Sequence, residues 1–519
     1  MKKNKIRFIV FVLPILLLIA GMFFSLTAKE SFTEVLNRIN TGLLSRFGWL
    51  YSLTTLTLLC VCVALMLSPF GKIRIGGKNA RSKLRTRDVF SITLCSIAGI
   101  GLVTWGTAEI MAHYSNPPKA LGILPYSDEA ANFAMETVLL HWTFPAYATY
   151  ALPAVLFAFL LYNMKRPFSV SEYFYPILGK RMNRGIRGVI DMLCIFTLLC
   201  GMSGTIGTTT LSLLGGLSYL SNGEIHKTAW TIGTIVIVIV ATFVISSITG
   251  IMKGIRFLSN MNLYFFVGLA VFTFICGPTY FILNYGTEAI GNLLQDFFPA
   301  MLRTNAVNGD DWSYKWSIFY WAAYMAWAPI SAMFIAKVCY GQTIRKIIVL
   351  TLVGPSMFTG AWMSIFSGIS MYLERHGAGI ADAYAKGYEY TAYAVFEYLP
   401  FTIPIIVIFL FIAAISVITA SDSATDAMAG LVLQEKNIEE STPEQSKNGI
   451  IKNFIKIIFG IVIASITFIV VTYSDIGGIK MISTIGAFPA LWIEIVVIIG
   501  IVKIAIDPEK YAESEEDKK

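Results

Sequence analysis

Long blocks of apolar residues recur along the whole chain, separated by short polar or charged stretches. Most blocks approach the roughly 20 residues that a helix needs to cross a bilayer. Helices are expected because lipid-exposed strands would leave backbone groups unpaired, and the alternating segments of a membrane barrel are absent from the sequence. The pattern predicts an all-α polytopic membrane protein with twelve transmembrane helices, at 8–25, 48–68, 90–112, 137–161, 188–219, 229–249, 258–285, 315–340, 346–373, 400–433, 452–474 and 482–505.

Three stretches near or between the blocks need separate interpretation. Residues 8–25 follow a basic start without a small-residue cleavage pattern, so we interpret them as a transmembrane helix rather than a signal peptide. Residues 290–303 mix apolar and polar positions and are predicted to lie along the outer surface. Residues 376–400 carry several tyrosines, which predicts a folded external hairpin or gate.

Composition and charge agree with a membrane protein. Only 14% of the residues are charged, against about a quarter in soluble proteins. The net charge of +8 does not indicate a nucleic-acid partner, because the basic residues lie in short loops between apolar blocks. These loops alternate between Lys- and Arg-rich and poor, so the chain is predicted to lie in the cell membrane with both termini in the cytoplasm.

The sequence gives no indication of an enzyme. Its four histidines are scattered without ligand spacing, and no nucleophile motif is present. The seven cysteines lie inside or at the edge of apolar blocks, and Cys60 and Cys62 are too close together for a usual zinc spacing. No cofactor is therefore predicted.

A group of small residues, Ala98-Gly99-Ile100-Gly101, lies in the third predicted span. Small residues let membrane helices approach closely, so one interpretation is helix packing. The other is an unwound stretch whose backbone groups face a ligand or an ion. Two acids in the tenth span, Asp422 and Asp426, leave a similar choice between a functional site and a structural role near the cytoplasmic end.

Aromatic residues are dense in the fourth and eighth predicted spans. An interfacial belt would explain the rings nearest the helix ends. It explains Trp327 poorly, because Trp327 lies about 16 Å along the helix from Trp316, and Tyr324 shares its face. The alternative is that rings from the two spans meet in an aromatic box. Ring faces suit a quaternary ammonium, at about 0.5–2 kcal/mol per ring when desolvated.

Residues 316–324 (Trp-Ser-Ile-Phe-Tyr-Trp-Ala-Ala-Tyr) resemble the Trp-Thr-x-Phe-Tyr-Trp-Ala-Trp-Trp signature of the betaine/choline/carnitine transporters. The likeness extends over nearly the whole chain, through stretches such as 47–51, 71–74, 105–109, 253–260 and 277–279. The resemblance implies alternating access, a homotrimer, and a five-plus-five inverted repeat of spans 3–7 and 8–12. The implied division is two N-terminal helices and a basic loop at 1–88, the first repeat at 89–285, an external segment at 286–313, the second repeat at 314–506, and an acidic cytoplasmic tail at 507–519.

Carried over position by position, the resemblance implies a substrate site of nine residues. They are Trp142, Tyr147, Tyr150, Tyr324 and Trp327 for the cation box, with Ala98, Gly99, Ile100 and Gly101. Tyr147, Ala323 and Tyr324 stand where tryptophan is common in the family, which predicts a roomier box. Gly101 stands where some choline carriers have an acid, which favours a carboxylate-bearing betaine over choline.

The coupling ion is less well defined by the resemblance. Sodium-coupled members use hydroxyls of span 10 and carbonyls of span 3, which implies Cys95, Ala98 and Thr419 as candidate Na⁺ ligands. A second sodium site would need threonines where this chain has Leu198 and Met202, and sodium-independent exchangers have an arginine where it has Asn262. Tight two-sodium coupling is therefore not expected.

Three alternatives to a secondary active betaine transporter stay open. They are a same-fold carrier for another amine or amino acid, a sodium-independent exchanger, and a channel.

Overall fold

The structure is a computed structural model that describes residues 6–97, 99–249, 252–307, 309–433, 445–473, 475–508 and 511. This part of the chain forms α1 (Phe8–Thr27), α2 (Lys29–Leu67), α3 (Thr86–Ile97), α4 (Gly99–Ser115), α5 (Asp128–Trp142), α6 (Phe144–Ala158), α7 (Tyr175–Leu178), α8 (Arg184–Leu220), α9 (Ala229–Thr249), α10 (Met252–Cys276), α11 (Thr279–Met301), α12 (Trp312–Lys315), α13 (Ser317–Val338), α14 (Ile344–Ile348), α15 (Gly354–Arg375), α16 (Ile380–Lys386), α17 (Thr391–Phe396), α18 (Thr402–Leu433), α19 (Gln445–Tyr473) and α20 (Asp475–Ile506).

Short helical turns of other types complete the secondary structure. The 3-10 turns are Pro69–Lys72, Lys119–Leu121, Val170–Phe174, Gly179–Arg181 and Tyr388–Tyr390, and the π-helical turns are Phe159–Asn163 and Val349–Val353. Within the described residues, the one β-type pairing recorded is an isolated bridge between Arg74 and Thr343.

Eleven helical segments of the described chain are long and apolar enough to cross a membrane. This confirms the predicted all-α polytopic membrane class. The predicted span 90–112 is not among the eleven because it is divided between α3 and α4, each shorter than 18 residues. Residue 98, between these two helices, lies outside the described part of the chain. The count of twelve, the five-plus-five repeat and the domain division stay predictions.

The span predicted over 258–285 has a wrong boundary. α10 ends and α11 begins on the two sides of Pro278, which has no N–H to continue a helical ladder. The Thr279 hydroxyl donates across the break to the Phe274 carbonyl, at 2.6 Å. The residues of 286–301, placed in a separate external segment by the sequence, therefore continue the helix that starts at Thr279.

The predicted folded segment 376–400 contains α16, a 3-10 turn and α17. Tyr388 of that turn stacks on Trp105 of α4, with ring centroids 5.1 Å apart and ring planes 9° from parallel. The predicted folding of this segment is therefore confirmed, and the Tyr388 ring packs against α4. A gating role stays a prediction.

Helix α13 is mostly buried and packs against α6, α8 and α20. Two glycines let α8 approach its neighbours closely, Gly201 against α13 and Gly204 against α20. A Cβ on Gly201 would lie 3.2 Å from the indole of Trp327, and a Cβ on Gly204 would collide with the hydroxyl of Ser483. Residues of α3, α4, α5, α6, α8, α13, α18 and α20 together line a cavity.

Candidate functional site

A cavity of about 140 Å³ lies beside α13, and aromatic side chains dominate its wall. The lining rings are Trp105, Trp142, Tyr150, Phe319, Tyr320, Tyr324 and Trp327. Hydroxyls come from Ser96, Thr205, Thr208 and Ser483. Among the described residues that line the cavity, Lys480 is the one charged side chain.

Four of the five predicted ring residues line this cavity, and we call Trp142, Tyr150, Tyr324 and Trp327 the aromatic box. The ring centroid of Tyr324 lies 6.2 Å from that of Trp142 and 6.5 Å from that of Tyr150, both at steep interplanar angles. Rings from the fourth and eighth predicted spans therefore meet. Tyr147 is buried within α6 and is not part of the lining. The role of these residues in binding stays a prediction.

The glycine group has a packing role in the structure. Gly99 and Gly101 belong to α4 and are helical, so the unwound alternative is wrong for these two positions. A Cβ on Gly101 would collide with the six-membered ring of Trp142. Gly101 also lines the cavity, which agrees with its predicted position. Ala98 and the side chain of Ile100 lie outside the described part of the structure.

Tyr324 is fixed by a carbonyl that a proline leaves free. The predicted span 137–161 is interrupted at Thr143, where α5 ends and α6 begins. Pro145 has no N–H, so the carbonyl of His141, four residues earlier, has no helical donor. The Tyr324 hydroxyl donates to that carbonyl instead, at 2.8 Å. The break therefore positions a ring of the aromatic box.

Glu109 of α4 is a buried acceptor behind the box. Its Oε2 accepts hydrogen bonds from Trp142 Nε1 at 2.6 Å and from the Tyr320 hydroxyl. Its Oε1 accepts from His141 Nδ1 at 2.6 Å and from His113 Nε2 at 3.2 Å. These donors come from α4, α5 and α13, so one carboxylate ties three helices together and fixes the Trp142 indole.

Trp327 is held from the opposite side of the cavity. Its Nε1 donates to the Thr205 hydroxyl of α8 at 3.1 Å. Thr205 in turn donates to the Gly201 carbonyl at 3.0 Å. The indole lies against α8 because Gly201 has no side chain there. Three rings of the aromatic box are therefore fixed by hydrogen bonds to backbone or side-chain groups of other helices.

A second ring group surrounds Lys480 of α20, and we call Trp105, Trp316 and Phe319 with this lysine the lysine cage. The Lys480 ammonium lies 3.9 Å from the ring centroid of Trp316, 4.8 Å from that of Phe319 and 5.5 Å from that of Trp105. These distances are in the range of cation–π contacts. The chain thus supplies its own cation to one end of the aromatic wall.

The predicted Na⁺ ligands are only partly brought together. Cys95 lines the cavity, and the Asn262 amide lies 3.8 Å from its sulfur and donates to the Ser416 hydroxyl at 2.9 Å. Thr419, one turn further along α18, donates its hydroxyl to the Ile415 carbonyl at 2.8 Å. Its neighbour Ala420 lines the cavity. Sodium binding stays a prediction.

The two acids of α18 lie away from the cavity lining. Asp426 pairs with Lys456 at 2.8 Å, with Lys452 at 3.0 Å and more distantly with Lys337 at 3.8 Å. Asp422 accepts a hydrogen bond from Ser246. These contacts favour the structural alternative for both carboxylates.

Sequence reasoning did not identify Glu109, Tyr320 or Lys480 as part of the site. An acid inside an apolar span is a candidate in its own right, and that signal could have identified Glu109. Lys480 precedes the predicted span 482–505 and therefore resembled a loop residue, but α20 begins at Asp475 and includes it. Tyr320 lies in the first turn of α13, among the rings near a helix end that an interfacial belt would explain.

Comparison with known proteins gives a consistent assignment. The model of the BCCT family, described as betaine/carnitine/choline family transporter, matches residues 9–510. An ectoine/hydroxyectoine transporter of Virgibacillus pantothenticus is 29% identical over 472 residues, 91% of each chain. A probable glycine betaine transporter of Desulfitobacterium hafniense is 27% identical over 509 residues, 97% of each chain. The glycine betaine transporter OpuD of Bacillus subtilis is 30% identical over 420 residues, 80% of each chain.

Proposed function

Since this chain belongs to the betaine/carnitine/choline transporter family and is a membrane transporter rather than an enzyme, we propose that it carries small quaternary-ammonium compounds. Glycine betaine, or a related betaine or carnitine, is the proposed substrate, moved by secondary active transport with alternating access. Family membership supports the transport mechanism, and the names of the similar proteins support a betaine-type substrate.

The observation that carries the proposal is the aromatic box in a wall that contains no carboxylate among its described lining residues. A quaternary ammonium has no N–H to donate, so ring faces are its natural partners in a buried site. Each ring contributes about 0.5–2 kcal/mol when desolvated. Several rings together approach the roughly 8 kcal/mol of a micromolar dissociation constant.

A carrier of the same architecture for another amine or an amino acid is the second candidate. The hydroxyls of Thr208 and Ser483 donate to carbonyls of their own helices, which leaves their oxygens able to accept. A primary ammonium, with three N–H donors, could use such acceptors. Competition between fully methylated and unmethylated amines distinguishes the two candidates.

The proposed coupling does not involve two sodium ions. Leu198 and Met202, which occupy the positions of the second sodium site, are fully buried apolar side chains. One Na⁺ at Cys95, Ala98 and Thr419 is the proposed coupling ion, and a sodium-independent substrate exchanger is the alternative. The protein is further proposed to lie in the cell membrane as a homotrimer, with both termini in the cytoplasm.

The test is uptake of labelled glycine betaine into vesicles that contain the purified protein. It is measured with a sodium gradient, without one, and after the vesicles are preloaded with betaine or carnitine. Saturable uptake that unlabelled betaine inhibits supports the substrate class. Dependence on sodium supports the single ion site, whereas uptake only into preloaded vesicles supports an exchanger. The absence of saturable betaine uptake in all three conditions overturns the substrate assignment.

A further inference from the structure

Lys480 places a positive charge in the wall of the same cavity that the aromatic box lines. Its ammonium is positioned by the rings of Trp316, Phe319 and Trp105. A contact with a ring face is not a strong hydrogen bond, so it leaves the three N–H donors of the lysine available. The hydrogen bond that the structure records for this ammonium, to the Lys315 carbonyl, is long at 3.4 Å.

Three hydroxyls of α8 and α20 that line the cavity are poor partners for an anion. Thr205, Thr208 and Ser483 each donate to a carbonyl one turn earlier in their own helix. Their protons are therefore engaged, and their oxygens would face an anion with lone pairs. Lys480 is the one charged donor among the described residues that line the cavity.

The cavity therefore has two ends of different chemistry. The aromatic box offers ring faces for a methylated cation, and the Lys480 end offers a positive charge with N–H donors. A bare cation would be repelled by Lys480, whereas a zwitterion would satisfy both ends.

We propose that Lys480 forms a carboxylate subsite, which binds the anionic end of a zwitterionic substrate while the aromatic box holds its quaternary ammonium. This inference rests on the proposed function and deepens it, because it assigns the carboxylate of the substrate to a named group. The rings of the lysine cage already hold the ammonium in place without substrate. Binding therefore loses less side-chain entropy than it would with a mobile lysine. The subsite would select betaines over choline, which has a hydroxyl in place of the carboxylate.

The test compares glycine betaine and choline as competitors for labelled betaine uptake in vesicles. Lys480→Met removes the charge and keeps an unbranched side chain, and Lys480→Arg restores the charge. Lys315→Met is the matched control, because this exposed lysine near Lys480 pairs with Asp311 and is not part of the cavity lining. A charge-assisted hydrogen bond corresponds to about a tenfold to 100-fold change in affinity.

For Lys480→Met, the inference predicts weaker betaine binding by about tenfold or more, together with an increase in the relative affinity for choline. Lys480→Arg should recover most of the selectivity, and Lys315→Met should leave the ratio of the two affinities unchanged. A purely structural role would weaken both ligands equally. An unchanged ratio in Lys480→Met, in a protein whose wild type takes up betaine, overturns the carboxylate subsite and leaves the proposed function intact. Failure of the wild type to take up betaine overturns both.

Discussion

The aromatic box and the lysine cage share one cavity wall but differ in what their rings face. In the lysine cage, three rings surround an ammonium that the chain itself supplies, with ring centroids 3.9–5.5 Å away. The aromatic box consists of two tryptophans and two tyrosines, yet no cation–π contact with a Lys or Arg is recorded for it among the described residues. The cage therefore indicates the distances at which a cation lies from the rings of this wall. The rings of the box are not occupied by a cation of the described chain and are available to a ligand.

The two groups also differ in how their rings are held. Three of the four box rings are fixed by hydrogen bonds, from Trp142 to Glu109, from Tyr324 to the His141 carbonyl and from Trp327 to Thr205. In the cage, Trp105 is held by stacking on Tyr388. A directional hydrogen bond restricts the orientation of a ring more than stacking does. The affinity of the preorganised box for substrate should therefore fall when a ring is shifted or loses its hydrogen bond.

The largest effect is expected from removing a ring of the box. Trp327→Ala removes a cation–π contact worth up to about 2 kcal/mol, which corresponds to about 30-fold in affinity. The KM for betaine uptake in vesicles should rise by about that factor. Trp230→Ala, at an exposed position of α9, is the matched control and should leave KM unchanged. Equal effects of the two substitutions would contradict the role of the box.

Displacing a ring without removing it should have a smaller effect. Gly101→Ala adds a Cβ that collides with the Trp142 indole, so the ring must shift. We expect about a tenfold increase in the KM for betaine, on the order of the 1–3 kcal/mol that overpacking costs. Gly268→Ala in α10 adds a Cβ to open space and serves as the control. A wild-type KM in Gly101→Ala would show that the position of Trp142 is unimportant.

Removing the hydrogen bond that fixes a box ring should raise the KM for betaine by a smaller factor than displacing the ring. Tyr324→Phe keeps the ring and removes its hydrogen bond to the His141 carbonyl, which corresponds to about 1 kcal/mol, or about fivefold in KM. Tyr147→Phe changes a tyrosine that does not line the cavity and should shift KM less. The reverse order would restore Tyr147 to the box that the sequence predicted.

The smallest effect on betaine is expected from changing a ring of the lysine cage while Lys480 itself is kept. Trp316→Phe keeps an aromatic face near Lys480 and leaves the box untouched, so the KM for betaine should change by less than about threefold, or roughly 0.6 kcal/mol. Kinetic measurement of Trp316→Phe beside Tyr324→Phe checks this order. A larger loss in Trp316→Phe would mean that the cage, rather than the box, dominates substrate affinity.

The class of the fold could be predicted from the sequence because each predicted span is a continuous, local run of mainly apolar residues. The rings of the box were also predictable, since their helices carry local clusters around Trp142 and Trp327. An acid inside an apolar span marks Glu109 as a candidate. Its contact with the box and the position of Lys480 could not be predicted, because their partners lie more than 30 and 150 residues away. Pro145 explains why the His141 carbonyl is free at the break, but sequence spacing alone does not show that the Tyr324 hydroxyl meets this carbonyl.

The most direct test of the central claim separates charge from shape. Glycine betaine and tert-butylacetate have nearly the same shape and the same carboxylate, but only betaine carries a positive charge. Both compounds are offered as competitors of labelled betaine uptake in vesicles that contain the purified protein. If ring faces recognise the cation, betaine should compete at least about 30-fold better than tert-butylacetate. Equal competition would contradict the account, because the cavity would then recognise the shape of the substrate and not its charge.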